Sequence, residues 1–167
     1  MSVEIFIKLD GITGESKNYY HKGWSEVSSW AWGMANNVDT QGKPVFKELA
    51  FTKRIGIDST DMMLHFAQAK LIKNVEFSIV PIMAKREAKL KYLSMQMEDV
   101  LIKSITTGGS AEDDRFNEDI LLSFSKVSFE YSFNIQATHD TTASSVDHKF
   151  GWDIGMNQEW QPVTETT

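Results

Sequence analysis

The sequence predicts a mainly β protein, an antiparallel β-barrel of two packed sheets with one flanking α-helix. Three observations lead there. Most apolar residues recur with period two, so most segments bury one face as strands. Two of those strands are long and change phase midway, which is how a strand bends to close a small barrel. A single segment, residues 58–70, combines helix-capping residues with a helically spaced apolar stripe.

In chain order, Ile5, Ile7 and Leu9 alternate with Glu4, Lys8 and Asp10, and Asp10-Gly11 supplies a turn. A second alternating strand ends in Trp30-Ala31-Trp32-Gly33. Trp30 and Trp32 share a face with Met34, the pattern of a core face. The opposite face carries Val27, Ser29, Ala31 and Gly33, which are mostly small. Asn36 to Pro44 is a polar, turn-rich loop. In the helix, Asp58 or Ser59 is the cap, and Asp61 suits the positive first turn. Met62, Met63, Phe66, Ala67 and Ala69 form the stripe, and Lys70 suits the last turn.

Val75, Phe77 and Ile79 alternate with Asn74, Glu76 and Ser78, and Pro81 then ends pairing or sits on an edge. Leu93, Met95 and Met97 hold odd positions before Val100 and Ile102 switch to even ones. Ile120, Leu122 and Phe124 are even, whereas Val127, Phe129, Tyr131 and Phe133 are odd. Each slip predicts a β-bulge, near Glu98-Asp99 and near Ser125-Lys126, or a strand passing between sheets. Thr106 to Asn117 is a long loop, and Ala137 to Asp147 is a polar segment before the last strand. Residues 1–161 form one domain, and Pro162 to Thr167 a frayed tail.

Composition narrows the function. The chain has 167 residues, long enough for a real core. A net charge of −6 argues against a nucleic-acid partner, which needs a basic face. No apolar run approaches the roughly 20 residues of a spanning helix, which argues against membrane insertion. There are no cysteines, so disulfides, thiol catalysis and cysteine-bound zinc are excluded. The first residues lack the basic and apolar regions of a signal peptide.

No catalytic constellation emerges. His21, His65, His139 and His148 have no partner at metal-ligand spacing, and they read as solvated or packed. Glu112, Asp113 and Asp114 lack the alternating ligands of a calcium loop. Thr107-Gly108-Gly109-Ser110 has no following Gly-Lys to cradle phosphate. No G-x-S-x-G elbow exposes a serine. No cofactor or metal is expected. Long strands leave edges that invite pairing, and head-to-tail closure into a ring removes them. The rival is a monomeric barrel that binds a small ligand such as a carbohydrate, since five tryptophans could stack on sugars. An enzyme ranks third.

Several motifs occur in a family's order. The run IFIKLDGITGESKNYYHKGWSEVSSWAWGM, from Ile5 to Met34, resembles the opening of the hemolysin-coregulated protein (Hcp) family, which builds the inner tube of type VI secretion systems. Leu49-Ala50-Phe51-Thr52-Lys53 is similar to its LSFTK strand. Thr107 to Ser110 with Asp114-Arg115 resembles its TGGSGGxDR loop. Glu118 to Tyr131 resembles the strand after that loop, and Gly151 to Ile154 its terminal GWNI.

The resemblance implies a homohexamer whose rings stack into a tube, with a contractile sheath outside, a spike protein at the tip and effector proteins in the lumen. It implies assembly in the bacterial cytoplasm and secretion through the type VI system without a signal peptide. Asp39, Gln41, Gly42 and Lys43 are then expected to contact the neighbouring ring. Ser29 and Ala31 are placed toward the lumen, where the family often has a serine in place of Ala31. Trp30, Trp32 and Phe124 are placed in the core, and Arg115 is given a structural role, bonding loop carbonyls or a carboxylate. The family usually has a glycine where Ala69 stands, as a helix stop.

Overall fold

The computed structural model describes residues 2–36, 38–40, 42–82, 92–134 and 145–163. Its strands are β1 (Val3–Leu9), β2 (Ser25–Ala31), β3 (Met34–Asn36), β4 (Pro44–Phe46), β5 (Leu49–Arg54), β6 (Ile72–Pro81), β7 (Leu93–Gly108), β8 (Asn117–Ser123), β9 (Lys126–Asn134), β10 (Ser145–Asp153) and β11 (Gln158–Glu159). One helix, α1 (Ser59–Ala67), packs against β7. All pairings are antiparallel, in the order β11-β10-β9-β7-β6-β1-β2-β5-β8, and β8 pairs back onto β7. Six strands thus close a barrel, and β9 to β11 extend one of its sheets.

The closure rests on the phase slip near residue 99. Leu93 to Glu98 of β7 pair with both β6 and β9, whereas Leu101 to Gly108 pair with β8. Asp99, at the junction, adopts a left-handed φ of 53°, which lets Met97 and Val100 both face inward. One strand therefore serves two sheets. The second slip is a break rather than a bulge. The chain leaves β8 at Ser123 and joins the other sheet at Lys126 as a new strand.

Period-two burial builds the core in cross-strand rows. One row runs Leu9, Val75, Met97, Val127, and the next Ile7, Phe77, Met95, Phe129. On the other sheet Leu49, Leu122 and Ile102 form a third. All but Phe129 are buried. Phe6 points outward from β1 yet is buried as well, because the loop after Gly11 folds over it. His21 stacks on its ring at 4.4 Å, and His21 Nε2 lies 3.2 Å from Ser78 Oγ.

The helix differs from the expected stripe. Among its residues only Ser59 and Met62 are buried, while Met63, Leu64 and Phe66 stay at the protomer surface. Asp58 does not cap through its side chain. The helix ends at Ala67, so Ala69 lies beyond it. There Ala69 takes φ 48°, with Lys70 N–H donating to His65 O (2.9 Å) and Ala69 N–H to Phe66 O (3.0 Å). This is the paired-bond helix stop that favours glycine. Ala69→Gly is expected to stabilise the protomer by about 0.5–1 kcal/mol despite glycine's greater unfolded-state entropy. Thermal unfolding checks this, with roughly 2–4 °C of Tm per kcal/mol for a chain of this size.

The loop assigned to 106–117 shrinks to 109–116, because β7 runs to Gly108. The polar segment assigned to 137–147 is shorter too, since β10 begins at Ser145, and residues 137–144 fall outside the described residues.

Candidate functional site: assembly surfaces

The outward face of β2, β5, β8 and the second half of β7 carries short side chains. Ser29 lies opposite Thr52, Thr52 opposite Asp119, and Asp119 opposite Thr106. In the next row Ala31, Ala50, Leu121 and Ser104 follow one another. Thr52 Oγ1 donates to Asp119 Oδ1 at 2.5 Å. Ser29 and Ala31 are exposed, whereas Trp30 and Trp32 pack against the core. Val27 belongs with the core and not with the small face as expected. A bulge between Val27 and Ser29 shifts the phase, so Val27 and Trp30 both point inward. At the edge of this face Lys103 pairs with Glu48, and the ammonium holds the Glu48 carboxyl below its ordinary range.

Trp32, just beyond β2, joins an aromatic layer. It stacks on Phe129 (6.0 Å) and Phe46 (6.5 Å), and Phe124 tilts against it at 6.5 Å. Phe46 also stacks on Phe150 (6.5 Å). This layer anchors the base of an arm made by β3, a short 3-10 turn at Val38–Thr40, and β4. Past the base the arm is exposed, with Val38 at 90%. Asp39, Gly42 and Lys43 lie exposed at its tip, Gly42 at φ 78°, and Gln41 lies outside the described residues.

At the opposite end of β2 and β5 the structure holds a cleft of about 260 Å³, lined by Lys17, Arg54, Arg115, Glu15, Glu26 and the floor residues Lys53 and Asp58. Beneath it lies a buried ionic cluster. Lys53 Nζ sits 2.9 Å from Asp58 Oδ1 and 2.6 Å from Glu118 Oε1, and it donates to Arg54 O at 2.8 Å. Ser59 Oγ donates to Glu118 Oε1 (2.7 Å), and Ser25 Oγ donates to Asp58 Oδ2. The cluster joins β2, β5, β8 and the start of α1. Asp58 holds the N-cap position as expected, but its side chain is an ion-pair partner and does not bond the first-turn amides. Arg115 lines the cleft, and among the described residues its side chain forms none of the bonds expected of it.

Sequence reasoning missed this cluster, although a signal existed. Lys53 is in phase with buried Leu49 and Phe51, and Glu118 is in phase with buried Ile120 and Leu122. Opposite charges at core phase on two strands predict a buried pair, because an unpaired buried charge is costly.

Other candidates find ordinary places. His65 Nδ1 lies 2.8 Å from Asp61 O, His148 stacks on Tyr131, and His139 lies outside the described residues. Asp113 Oδ2 accepts the Ser110 N–H at 2.8 Å within its loop. Among the described residues no three or more His, Asp or Glu side chains converge as metal ligands. The indoles of Trp30 and Trp32 are engaged with Phe77 and the aromatic layer. No described helix is long and apolar enough to cross a membrane.

Known proteins share this architecture. The chain is 31% identical over 164 residues to "Protein hcp1" of Pseudomonas aeruginosa, covering 94% of this chain and 98% of that one. It superposes on the crystal structure of Hcp1 from Salmonella typhimurium with a TM-score of 0.76 and 26% identity, over 95% of this chain and 100% of the other. A structure described as a type six secretion system protein gives a TM-score of 0.82 at 24% identity, over 95% and 100% of the two chains, and bears on the fold alone. The family described as "Type VI secretion system effector, Hcp" matches residues 6–131. With residues 6–131 matched by the family and nearly the whole length matched by the Pseudomonas aeruginosa relative, the chain belongs to the Hcp family of type VI secretion systems.

Proposed function

We propose that this chain closes into hexameric rings that stack into a tube, and that the tube carries effector proteins behind a spike protein and inside a contractile sheath. Membership of the family makes it a structural tube protein of the type VI secretion system. The observation that carries the reading furthest is the pairing of a closed barrel with a projecting arm. The barrel leaves an outer face of mostly short side chains, Ser29, Ala31, Ala50, Thr52, Ser104 and Thr106, with Asp119 and Leu121 among them. Beyond its aromatic footing the arm is exposed, with Met34, Val38 and Val45 on the protomer surface. Work is done by contraction of the sheath, and this chain supplies shape, self-association and a bore. Its domain is residues 1–161, and it leaves the cell through the system that it helps to build.

In this reading Ser29 and Ala31 line the bore. A glutamine at Ala31 would project further from this face than the alanine and the neighbouring Ala50 do. Ala31→Gln is expected to leave rings intact and to reduce the amount of effector that co-purifies with them. Unchanged co-purification would remove Ala31 from the bore.

The arm tip is the contact between rings. Each contact of Asp39, Gln41 or Lys43 adds little, since exposed pairs rarely exceed about 1 kcal/mol, but every protomer repeats it. Deleting Asp39 to Gly42 is expected to leave ring mass and melting temperature nearly unchanged and to abolish tubes and secretion. Monomers from that deletion would place the arm in the contact within a ring.

The carbohydrate-binding alternative is not favoured. Trp30 and Trp32 are committed to the core, and the cleft is lined by charged side chains without an indole.

A further inference from the structure

We propose that the charged cleft is the socket for the arm of a second copy of this chain, with Asp39 entering between Arg54 and Arg115. The inference rests on the stacking reading above and deepens it by naming the surface that receives the arm.

Connectivity places the two features. β2 starts at the cleft, with Ser25 and Glu26 in its lining, and runs to the arm, which begins at Met34. β5 runs back from the arm, after Phe46, and ends at the cleft with Lys53 and Arg54. Arm and cleft therefore occupy opposite ends of the same antiparallel strands, about 20 Å apart at roughly 3.3 Å per residue. Copies stacked head to tail along these strands bring each arm tip against the next copy's cleft. The contact is heterologous, so it repeats without limit in a stack.

Charge selects the same match. Asp58 in the cleft is committed to Lys53 and Ser25, and Glu15 accepts the Ile57 N–H at 3.0 Å. The side chains of Lys17, Arg54 and Arg115 have no ion-pair or hydrogen-bond partner among the described residues, and Glu15 and Glu26 are the carboxylates of the rim. The rim thus sets three cations against two carboxylates, and the unpartnered guanidiniums of Arg54 and Arg115 can take up a further carboxylate. Between Met34 and Phe46 the sequence has one acid, Asp39, and one base, Lys43. Lys43 has its own counterpart, because the loop beside Arg115 carries Glu112 and Asp114. The cleft, at about 260 Å³, is large enough for an aspartate side chain with its hydration.

The absence of cysteine gives a clean test. Asp39→Cys combined with Arg115→Cys, assembled and then oxidised, is expected to give a non-reducible-by-heat, thiol-sensitive ladder of linked protomers on a denaturing gel. Either single variant should give no ladder beyond a dimer. A charge exchange supports it without relying on oxidation. Arg54→Glu with Arg115→Glu should leave rings but no tubes, and adding Asp39→Arg should restore tubes. Tubes of the cysteine pair without a ladder, or tubes unaffected by the two glutamates, would overturn the socket and leave stacking intact. Wild-type rings that never form tubes would overturn the stacking reading, and the socket with it.

Discussion

Replacing Lys53 by methionine is expected to destabilise the protomer by about 3–5 kcal/mol, the range for removing one partner of a buried ion pair. Lys53 is 2% exposed, and its ammonium meets Asp58, Glu118 and the Arg54 carbonyl at once. Its loss leaves two carboxylates, 2% and 1% exposed, without their cation. The start of α1 and the ends of β2, β5 and β8 would separate to admit water. Lys53→Met combined with Asp58→Asn and Glu118→Gln removes the uncompensated charge and is expected to recover part of the loss. Urea unfolding of the single and triple variants checks both statements. A single variant within about 1 kcal/mol of wild type would show that water already reaches the cluster.

Trp32→Ala is expected to cost about 3–5 kcal/mol as well, for a different reason. The indole spans Phe46, Phe124 and Phe129, so truncation opens a cavity where the arm base, the β8–β9 turn and the extended sheet meet. The arm should then lose its footing, and tubes should fail before rings do. Near-ultraviolet circular dichroism with urea unfolding reads the packing, and electron microscopy reads the tubes. A cooperative unfolding curve with an unchanged midpoint would contradict a packed Trp32.

Much of this fold is legible because period-two burial reports facing directly. The inward facing of Ile7, Phe77 and Met95 follows from alternation alone, and the slip near Asp99 located the residue where β7 passes between sheets. What escaped was long-range. The bulge that turns Val27 inward depends on pairing with β5, which nothing within β2 announces. The helical stripe of Met63 and Phe66 suggested a core face, yet those side chains remain exposed on the protomer. Periodicity reports that a face is apolar and not what covers it. The Lys53–Glu118 pair joins residues 65 apart in sequence, so its partners become visible only when β5 and β8 are set in register.

The assembly surfaces divide in the same way. The arm was marked by its polar, turn-rich composition, and its aromatic footing came only with the contacts of Trp32 and Phe46. The cleft draws on four separate stretches of chain, from Glu15 to Arg115, and no local motif outlines it.

Negative-stain electron microscopy of the purified protein, with its mass read by mass photometry, tests the central claim most directly. The account predicts closed rings of six times the 19.0 kDa protomer mass, with an open centre, and stacks of those rings at high concentration. A monodisperse monomer with no rings at any concentration would contradict it.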